Sequence, residues 1–221
     1  MKRLTVVLIA SGLMLVPAAL GKPPTGQSSV TIAASLNPVV FGSSTTISGQ
    51  VTGKKAAGAT VELQGEPFPS KAFSTVATVT ANSTGHYSFT VVPTLNTMYR
   101  VMAKTAPSAL SSNLLVRVRV KVTLHVSTTK PTPGQLVRFS GFVLPAYNGK
   151  VALIQRRTAS GGWNTVARAK LAAASPLGTI ARSKFSKRVR VTKSGTYRVW
   201  FNPADNARLP NSSPTRKLTV T

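Results

Sequence analysis

The chain has 221 residues, of which 28 are lysine or arginine, three are acidic and none is cysteine, giving a net charge of +25. Disulfide bonds and thiolate metal sites are therefore excluded, and a catalytic carboxylate pair would have only Glu62, Glu66 and Asp205 to draw on. We expect neither a cofactor nor a metal, and no enzymatic activity. The 42% of hydrophobic residues, few of them aromatic, suffice for cores built mainly from β-branched side chains.

The first 21 residues have the pattern of a secretory signal peptide. Met1-Lys2-Arg3 is a positive start, an apolar run follows from Leu4 to Val16, and Ala19-Leu20-Gly21 offers small residues for cleavage. As a helix this run would reach about 20 Å, less than the roughly 30 Å hydrocarbon core of a membrane. We predict cleavage after residue 21, a short flexible segment over residues 22–28 and no transmembrane segment in the mature protein. The product is expected to be secreted, either extracellular or held non-covalently at the cell surface.

Short runs of β-forming residues, separated by Gly, Pro, Asn and Ser, make up the rest of the chain. The pattern predicts strands near residues 30–35, 44–52, 59–65, 72–80, 85–92, 97–104 and 112–120, and then near 121–128, 135–144, 149–157, 162–171, 180–191, 195–202 and 214–220. This spacing is typical of two packed antiparallel sheets in each set of seven strands.

The two sets of strands repeat each other in sequence. Ile47-Ser48-Gly49-Gln50-Val51 aligns with Phe139-Ser140-Gly141-Phe142-Val143, Val61-Glu62-Leu63 with Val151-Ala152-Leu153, Phe73-Ser74-Thr75-Val76-Ala77 with Trp163-Asn164-Thr165-Val166-Ala167, and Tyr99-Arg100-Val101 with Tyr197-Arg198-Val199. An insertion falls in the connection after Ala172. We predict two homologous domains, residues 29–120 and residues 121–221, called the first half and the second half below.

The boundary between the halves is an unbroken alternation of apolar and polar residues. Apolar side chains occupy every second position from Val116 to Val126, and neither Gly nor Pro intervenes. The last strand of the first half should therefore pass almost directly into the first strand of the second. This continuity predicts a stiff tandem rather than two freely jointed units.

The doubled motifs S-G-x-V, V-x-L, W/F-x-T-V-A and Y-R-V resemble the bacterial immunoglobulin-like repeats of exported proteins, of the Big or fibronectin-III-like kind. The resemblance covers nearly all of residues 28–221. It implies an all-β fold of two tandem immunoglobulin-like antiparallel β-sandwiches, with about seven strands each. Such modules serve as spacers, adhesion modules or accessory domains, so the resemblance alone does not select a ligand.

Catalytic patterns are missing from the sequence. His86 and His125 lie at non-equivalent places in the repeat, and neither has a plausible catalytic partner. Glu62 aligns with Ala152 and is expected to pair with a lysine or arginine. Gly161-Gly162 lacks the Lys-Ser/Thr of a phosphate loop and predicts a hairpin turn.

Positive charge is concentrated in the second half. Residues 22–120 hold eight basic and two acidic residues, whereas residues 121–221 hold eighteen basic residues and one acidic residue. In the strand predicted near residues 180–191, Arg182, Lys184, Arg188 and Arg190 share one face over about 30 Å, and only Lys187 breaks the pattern. In an immunoglobulin-like topology the second and fifth strands are neighbours, which places Arg138 beside this row.

Three functions of the protein remain open at the level of sequence. The cationic row is either a solvated face or a binding surface for polyanions, such as anionic polymers of the cell wall or extracellular matrix, without specific recognition of nucleic acid. Alternatively, Trp200 and Tyr147 stack on sugar rings in a carbohydrate-binding or adhesion module. In the third alternative the protein is a structural spacer without a specific ligand.

Overall fold

A computed structural model describes residues 27–221. All the regular secondary structure in this range is β-strand. The predicted signal peptide lies outside the described residues. Within them the fold is all-β, with several antiparallel sheets in a β-sandwich-like architecture. No helix able to cross a membrane occurs between residues 27 and 221.

Eleven strands belong to the first half. They are β1 (Ser29–Val30), β2 (Ala33–Ala34), β3 (Val39–Val40), β4 (Thr45–Thr52), β5 (Thr60–Pro67), β6 (Ser74–Thr80), β7 (His86–Val91), β8 (Thr97–Ala103), β9 (Ala109–Leu110), β10 (Leu114–Val116) and β11 (Val118–Arg119). One sheet pairs β4 with β1, β2 and β7, and the other has the order β10-β8-β5-β6 with β9 also on β8. A short parallel pair joins β3 and β11.

Ten strands belong to the second half. They are β12 (Lys121–Val122), β13 (His125–Val126), β14 (Gln135–Leu144), β15 (Val151–Arg157), β16 (Trp163–Lys170), β17 (Ala172–Leu177), β18 (Ile180–Val191), β19 (Gly195–Phe201), β20 (Asn211–Ser212) and β21 (Arg216–Leu218). One sheet has the order β12-β14-β18-β17 with β13 on β14, and the other has the order β16-β15-β19-β20 with β21 on β19.

Each half buries its own core between its sheets. Alternating strand residues point inward, and the largest fully buried side chains include Ile47 and Leu63 in the first half and Phe139, Ile154 and Phe201 in the second. Removal of these apolar faces from water is the main source of stability, at about 25 cal/mol per Å². The two cores are separate clusters, which leaves the outer sheet faces free to differ in chemistry.

Most long strands lie where the sequence predicts them, but three expectations are wrong. The first strand of each half and the last strand of the first half are broken into short pieces, such as β1 and β2 in place of one strand over residues 30–35, and the last strand of the second half is shortened to β21. The predicted connection after Ala172 contains the strand β17, which pairs with β18. Its sequence, Ala172-Ala173-Ala174-Ser175-Pro176-Leu177, has few β-formers, and its proline falls within an irregularity of the pairing.

The third error is a slip of one residue in the repeat alignment at β15. The sequence aligns Leu63 with Leu153. In the structure a bulge follows Leu63 in the first half and Ile154 in the second, so Leu63 corresponds to Ile154. Accordingly Ile154 is fully buried and Val151 is 46% exposed. A slip of one position exchanges the two faces of a strand, so the alignment matches the buried Leu63 with Leu153, which is half-buried, rather than with Ile154.

The repeat extends to side-chain contacts. In the first half, Arg100 Nε donates a hydrogen bond to Gln64 Oε1 at 2.8 Å, and its guanidinium lies 4.0 Å from the centre of the Phe73 ring. In the second half, Arg198 bonds Gln155 Oε1 at 2.9 Å and lies 4.0 Å from the ring of Trp163. Trp163 therefore packs against an arginine in the same way as Phe73, the residue with which it aligns in the repeat.

The junction follows the predicted alternation. Val116, Val118, Val120, Val122, Leu124 and Val126 are all buried, and only Val120 separates β11 from β12. Phe41 and Val118 form a buried cluster with Leu144 of the second half. Asn96 Nδ2 donates to the carbonyl of Asn206 at 2.9 Å, and Asn96 N donates to the carbonyl of Ala207 at 2.8 Å. These contacts across the junction support a stiff tandem.

Tyr87 carries a pH-dependent part of the stability of the first half. Its buried hydroxyl donates to the carbonyl of Thr31, and burial raises the pKa of Tyr87 to about 12. Because folding favours the neutral phenol, its stabilisation is complete below about pH 10 and is lost as pH rises towards 12. Between about pH 9 and about pH 11.5, the free energy of unfolding measured by urea denaturation should fall by roughly 2 kcal/mol more in the wild type than in Tyr87→Phe.

The phenylalanine variant is a fair reference, since Phe185 occupies the equivalent place in the second half opposite Gly141. At neutral pH we expect Tyr87→Phe to cost only about 1 kcal/mol, the usual value of one hydrogen bond. Equal losses at alkaline pH in both proteins would show that Tyr87 has the same pKa in the folded and unfolded protein, and hence that burial does not raise it.

Candidate functional site

The predicted cationic row is formed by β18. Lys184, Arg188 and Arg190 are exposed and Arg182 is half-buried, as the alternation predicts. The intervening residues of the strand point inward and are buried: Ser183, Phe185, Val189 and Val191. Lys187 has inward parity yet is exposed, which is the predicted break in the pattern.

Arg138 lies where the immunoglobulin-like topology predicts it. It is on β14, directly opposite Arg188 in the antiparallel register, and it is exposed. On the same face Phe142 is opposite Lys184, and Leu136 is opposite Arg190. The front cationic face is defined by these outward residues of β14 and β18: Arg138, Arg182, Lys184, Arg188 and Arg190.

Two of the five cations are held by neutral groups. Arg182 Nε donates to the carbonyl of Ser175 at 2.8 Å, and its guanidinium lies 4.0 Å from the ring centre of Phe142. Arg190 Nη1 donates to the carbonyl of Gly134 at 3.2 Å. Neither contact neutralises the charge, so both residues stay attractive to anions while their positions are fixed.

No acidic residue of the described chain pairs with the front cationic face. Glu62 forms an ion pair with Lys104, as the sequence predicts for a lysine or arginine partner. Asp205 Oδ2 accepts a hydrogen bond from the Tyr147 hydroxyl at 2.7 Å and lies 3.9 Å from Arg208 Nη1. Within residues 27–221 these are the two ion pairs, and neither involves the front cationic face.

The equivalent face of the first half carries no lysine or arginine. The pair Thr46 and Thr90 on β4 and β7 corresponds to Arg138 and Arg188, since each pair lies three positions before the glycine of its strand along the register. The remaining outward pairs of β4 and β7 are Ser48 with Ser88 and Gln50 with His86. One sheet face therefore carries hydroxyl, amide and imidazole groups in one half, and lysine and arginine in the other.

Neither of the two candidate stacking residues belongs to the front cationic face. Trp200 is half-buried on the outer side of β19, as its parity predicts, between Leu153 and Ser212. The centre of the Tyr147 ring lies 5.1 Å from that of Phe201. Burial is the main cause, and the hydrogen bond to Asp205 the second, that raises the pKa of Tyr147 to about 12. One side of the Tyr147 ring is thus used inside the protein.

The two histidines lie in different halves of the described chain. His86 and His125 are exposed, on β7 in the first half and β13 in the second. Among residues 27–221, no group of three or more His, Cys, Asp or Glu side chains could hold a metal ion. Gly161-Gly162 forms the predicted hairpin turn between β15 and β16, where Thr158 N donates to the carbonyl of Gly162 at 2.9 Å.

A cleft of about 630 Å³ at the junction has no counterpart in the sequence predictions. Residues of both halves line it, including Glu66, Phe68 and Asn96 of the first and Asp205 and Arg208 of the second. Its existence depends on how the two halves meet, and no local pattern reports this. Asp205 and Arg208 are engaged in holding the junction, since Arg208 Nε donates to the carbonyl of Thr94 at 2.8 Å.

Comparison of the chain with known protein families finds no match, and comparison with curated proteins finds no significant one.

Proposed function

We propose that the protein is a secreted, non-enzymatic tandem of two immunoglobulin-like β-sandwiches whose second half binds anionic polymers of the cell envelope or extracellular matrix. The front cationic face is the binding surface. Binding is electrostatic and reads no sequence, so nucleic acid is bound only as one more polyanion. The observation that carries the proposal is the presence of these cations on one half and their replacement by neutral residues on the other.

The strand order supports the immunoglobulin-like interpretation. In each half the strand predicted second pairs with the strand predicted fifth, as β4 with β7 and β14 with β18. In each half the strand predicted third lies between those predicted fourth and sixth, as β5 between β6 and β8 and β15 between β16 and β19. Two sheets with this connectivity and one core between them are the arrangement of immunoglobulin-like sandwiches.

The charge is not something that the fold requires. Arg138 and Arg188 are direct cross-strand neighbours, and like charges in such positions are destabilising. Thr46 and Thr90 fill the same positions of the first half without that cost. A protein in need of solubility alone could mix charges of both signs, which avoids the repulsion. Binding to a polyanion explains why the repulsion is retained.

The pattern of residues 1–21 supports export, and export limits the available polyanions. Outside the cell these include wall polymers with phosphate groups, acidic polysaccharides, lipid headgroups and released DNA. Polymers that carry phosphate along the chain suit a row of cations on one strand, since outward residues repeat about every 6.7 Å along a strand. We therefore place phosphate-containing envelope polymers first.

Binding should depend strongly on salt. If about five cations engage a phosphate polymer, release of counterions weakens the association by a few hundred-fold between about 50 and about 200 mM salt, taking duplex DNA as the reference. A salt-graded pull-down on purified cell walls, with inorganic polyphosphate as a soluble competitor, measures this dependence. Binding to walls that does not change with salt would contradict the proposal.

Neutral polysaccharide is the control ligand in the same experiment. An electrostatic surface should not retain it at any salt concentration, because there is no charge to attract. Retention of neutral polysaccharide that is insensitive to salt, and lost with Trp200→Ala, would instead support a carbohydrate-binding module. No retention on walls, polysaccharide or DNA would leave a structural spacer.

A further inference from the structure

A second group of cations lies on the opposite sheet of the second half. The rear cationic face is defined by outward residues of β15, β16, β19 and β21: Arg157, Arg168, Lys170, Arg198 and Lys217. All are exposed except Arg198, which is half-buried against Trp163.

The register shows that these side chains point away from the core. Arg168 is opposite Leu153 and Lys170 is opposite Val151, which is 46% exposed, whereas Ala169 between them is buried. Lys217 is opposite Thr196, on the face of β19 that also carries Arg198. Asp205 is the only acid of the second half, and it is bonded to Tyr147 rather than to any of these cations.

The two cationic faces are far enough apart to act separately. Packed sheets lie about 10 Å apart, and an extended cationic side chain on each side brings the charges to a separation of about 20 Å. This exceeds the Debye length of about 8 Å at physiological salt. Two polymer chains held on opposite faces would therefore repel each other little.

We infer that each molecule binds two polyanion chains at once, one on the front and one on the rear cationic face, and thereby cross-links them. The inference rests on the proposed function and adds a second binding surface to it. Its ligand class is the same, a linear polymer with phosphate along its length. The biological consequence is bridging of neighbouring polymer chains rather than coating of single ones.

A sandwich assay tests this directly. Biotinylated inorganic polyphosphate is immobilised, the full-length mature protein is added at about 50 mM salt, and fluorescent polyphosphate follows after washing. The wild-type protein should retain the second chain. A front variant carries Arg138→Gln, Lys184→Gln, Arg188→Gln and Arg190→Gln, and a rear variant carries Arg157→Gln, Arg168→Gln, Lys170→Gln and Lys217→Gln. Each should still be captured but should lose the second chain.

Arg182 and Arg198 are spared in these variants because each stacks on an aromatic ring and bonds a neighbouring oxygen. A control variant removes four exposed charges from the first half, with Lys54→Gln, Lys71→Gln, Arg117→Gln and Arg119→Gln, and it should retain both chains.

The outcomes separate the two proposals. Capture of the wild type without a second chain, or a second chain retained by the rear variant, overturns cross-linking and leaves the proposed function standing. Failure of the wild type to be captured at all overturns the proposed function as well. Loss of the second chain by the first-half control would assign the effect to net charge and would also overturn the inference.

Discussion

Neutralising eight of the ten cations on the front and rear cationic faces together should abolish binding to polyphosphate at physiological salt. The variant joins the four front and four rear substitutions to glutamine and lowers the net charge from +25 to +17 in the full chain. At about 1 kcal/mol for each cation near an anionic surface, eight substitutions exceed a 10³-fold loss of affinity. Fluorescence anisotropy with labelled polyphosphate at about 150 mM salt measures the change.

The decisive control has the same net charge with both faces intact. Eight exposed cations elsewhere are available for substitution by glutamine: Lys54, Lys71, Arg117, Arg119, Lys130, Lys150, Lys193 and Arg216. Long-range attraction falls equally in both variants, so the control should lose no more than about tenfold in affinity. If both variants lose binding to the same extent, net charge rather than the arrangement of the two faces determines binding.

A single substitution tests whether the front cationic face is retained at a cost in stability. Arg138→Glu would replace a repelling cross-strand pair with an attractive one opposite Arg188. We expect the free energy of unfolding to rise by about 0.5 to 1 kcal/mol while affinity for polyphosphate falls. A lower free energy of unfolding would mean that the arginine pair is not a burden to the fold, and the main argument for its function would then fail.

The sequence sufficed to predict the front cationic face because β18 alternates regularly over Ile180–Val191. Parity alone separates its cations from its buried residues. Arg138 needed one further step, the pairing of the second and fifth strands, which the immunoglobulin-like resemblance implies and the register bears out. Neither step required knowledge of packing.

The rear cationic face was only partly predictable because its strands are irregular. A bulge opposite the Ile154/Gln155 step changes the parity of β16, so alternation read from Trp163 does not extend to Arg168 and Lys170. In β15 the run Val151-Ala152-Leu153-Ile154 is apolar on both parities, and pattern alone cannot tell which face is buried. Only the three-dimensional register decides it.

The contacts that restrain Arg182 are not predicted by the sequence, and the reason differs from that for the rear cationic face. Its hydrogen-bond acceptor, the carbonyl of Ser175, belongs to a segment in which the sequence predicts no strand. Alanines and a proline give β17 little β-propensity, and its pairing with β18 depends on tertiary context. Sequence therefore locates the cations better than it describes what holds them.

The glycine in the repeated S-G motif is explained by close approach of the backbone. A Cβ on Gly141 would collide with the carbonyl oxygen of Thr123 and lie 2.9 Å from Phe185 Cζ. Gly49 has the equivalent surroundings in the first half, the carbonyl of Thr31 and the side chain of Tyr87. In both halves the first strand can reach the second only because this position lacks a side chain.

Gly141→Ala should therefore destabilise the second half by about 3 kcal/mol, because either the backbone near Thr123 or the Phe185 ring must move. Both tryptophans, Trp163 and Trp200, lie in this half, so urea denaturation followed by tryptophan fluorescence reports on it selectively. Ser140→Ala, at the neighbouring half-buried outward position, should change the midpoint little.

Gly49→Ala is the matched substitution in the other half. Since the two cores are separate clusters, it should lower the stability seen by circular dichroism and shift the tryptophan transition much less than Gly141→Ala does. The hydrogen bonds of Asn96 with Asn206 and Ala207 join the halves, so they contribute to any coupling between the unfolding of one half and that of the other. Equal shifts of the tryptophan transition from both glycine substitutions would mean that the tandem unfolds as one cooperative unit, with the junction as stable as either core.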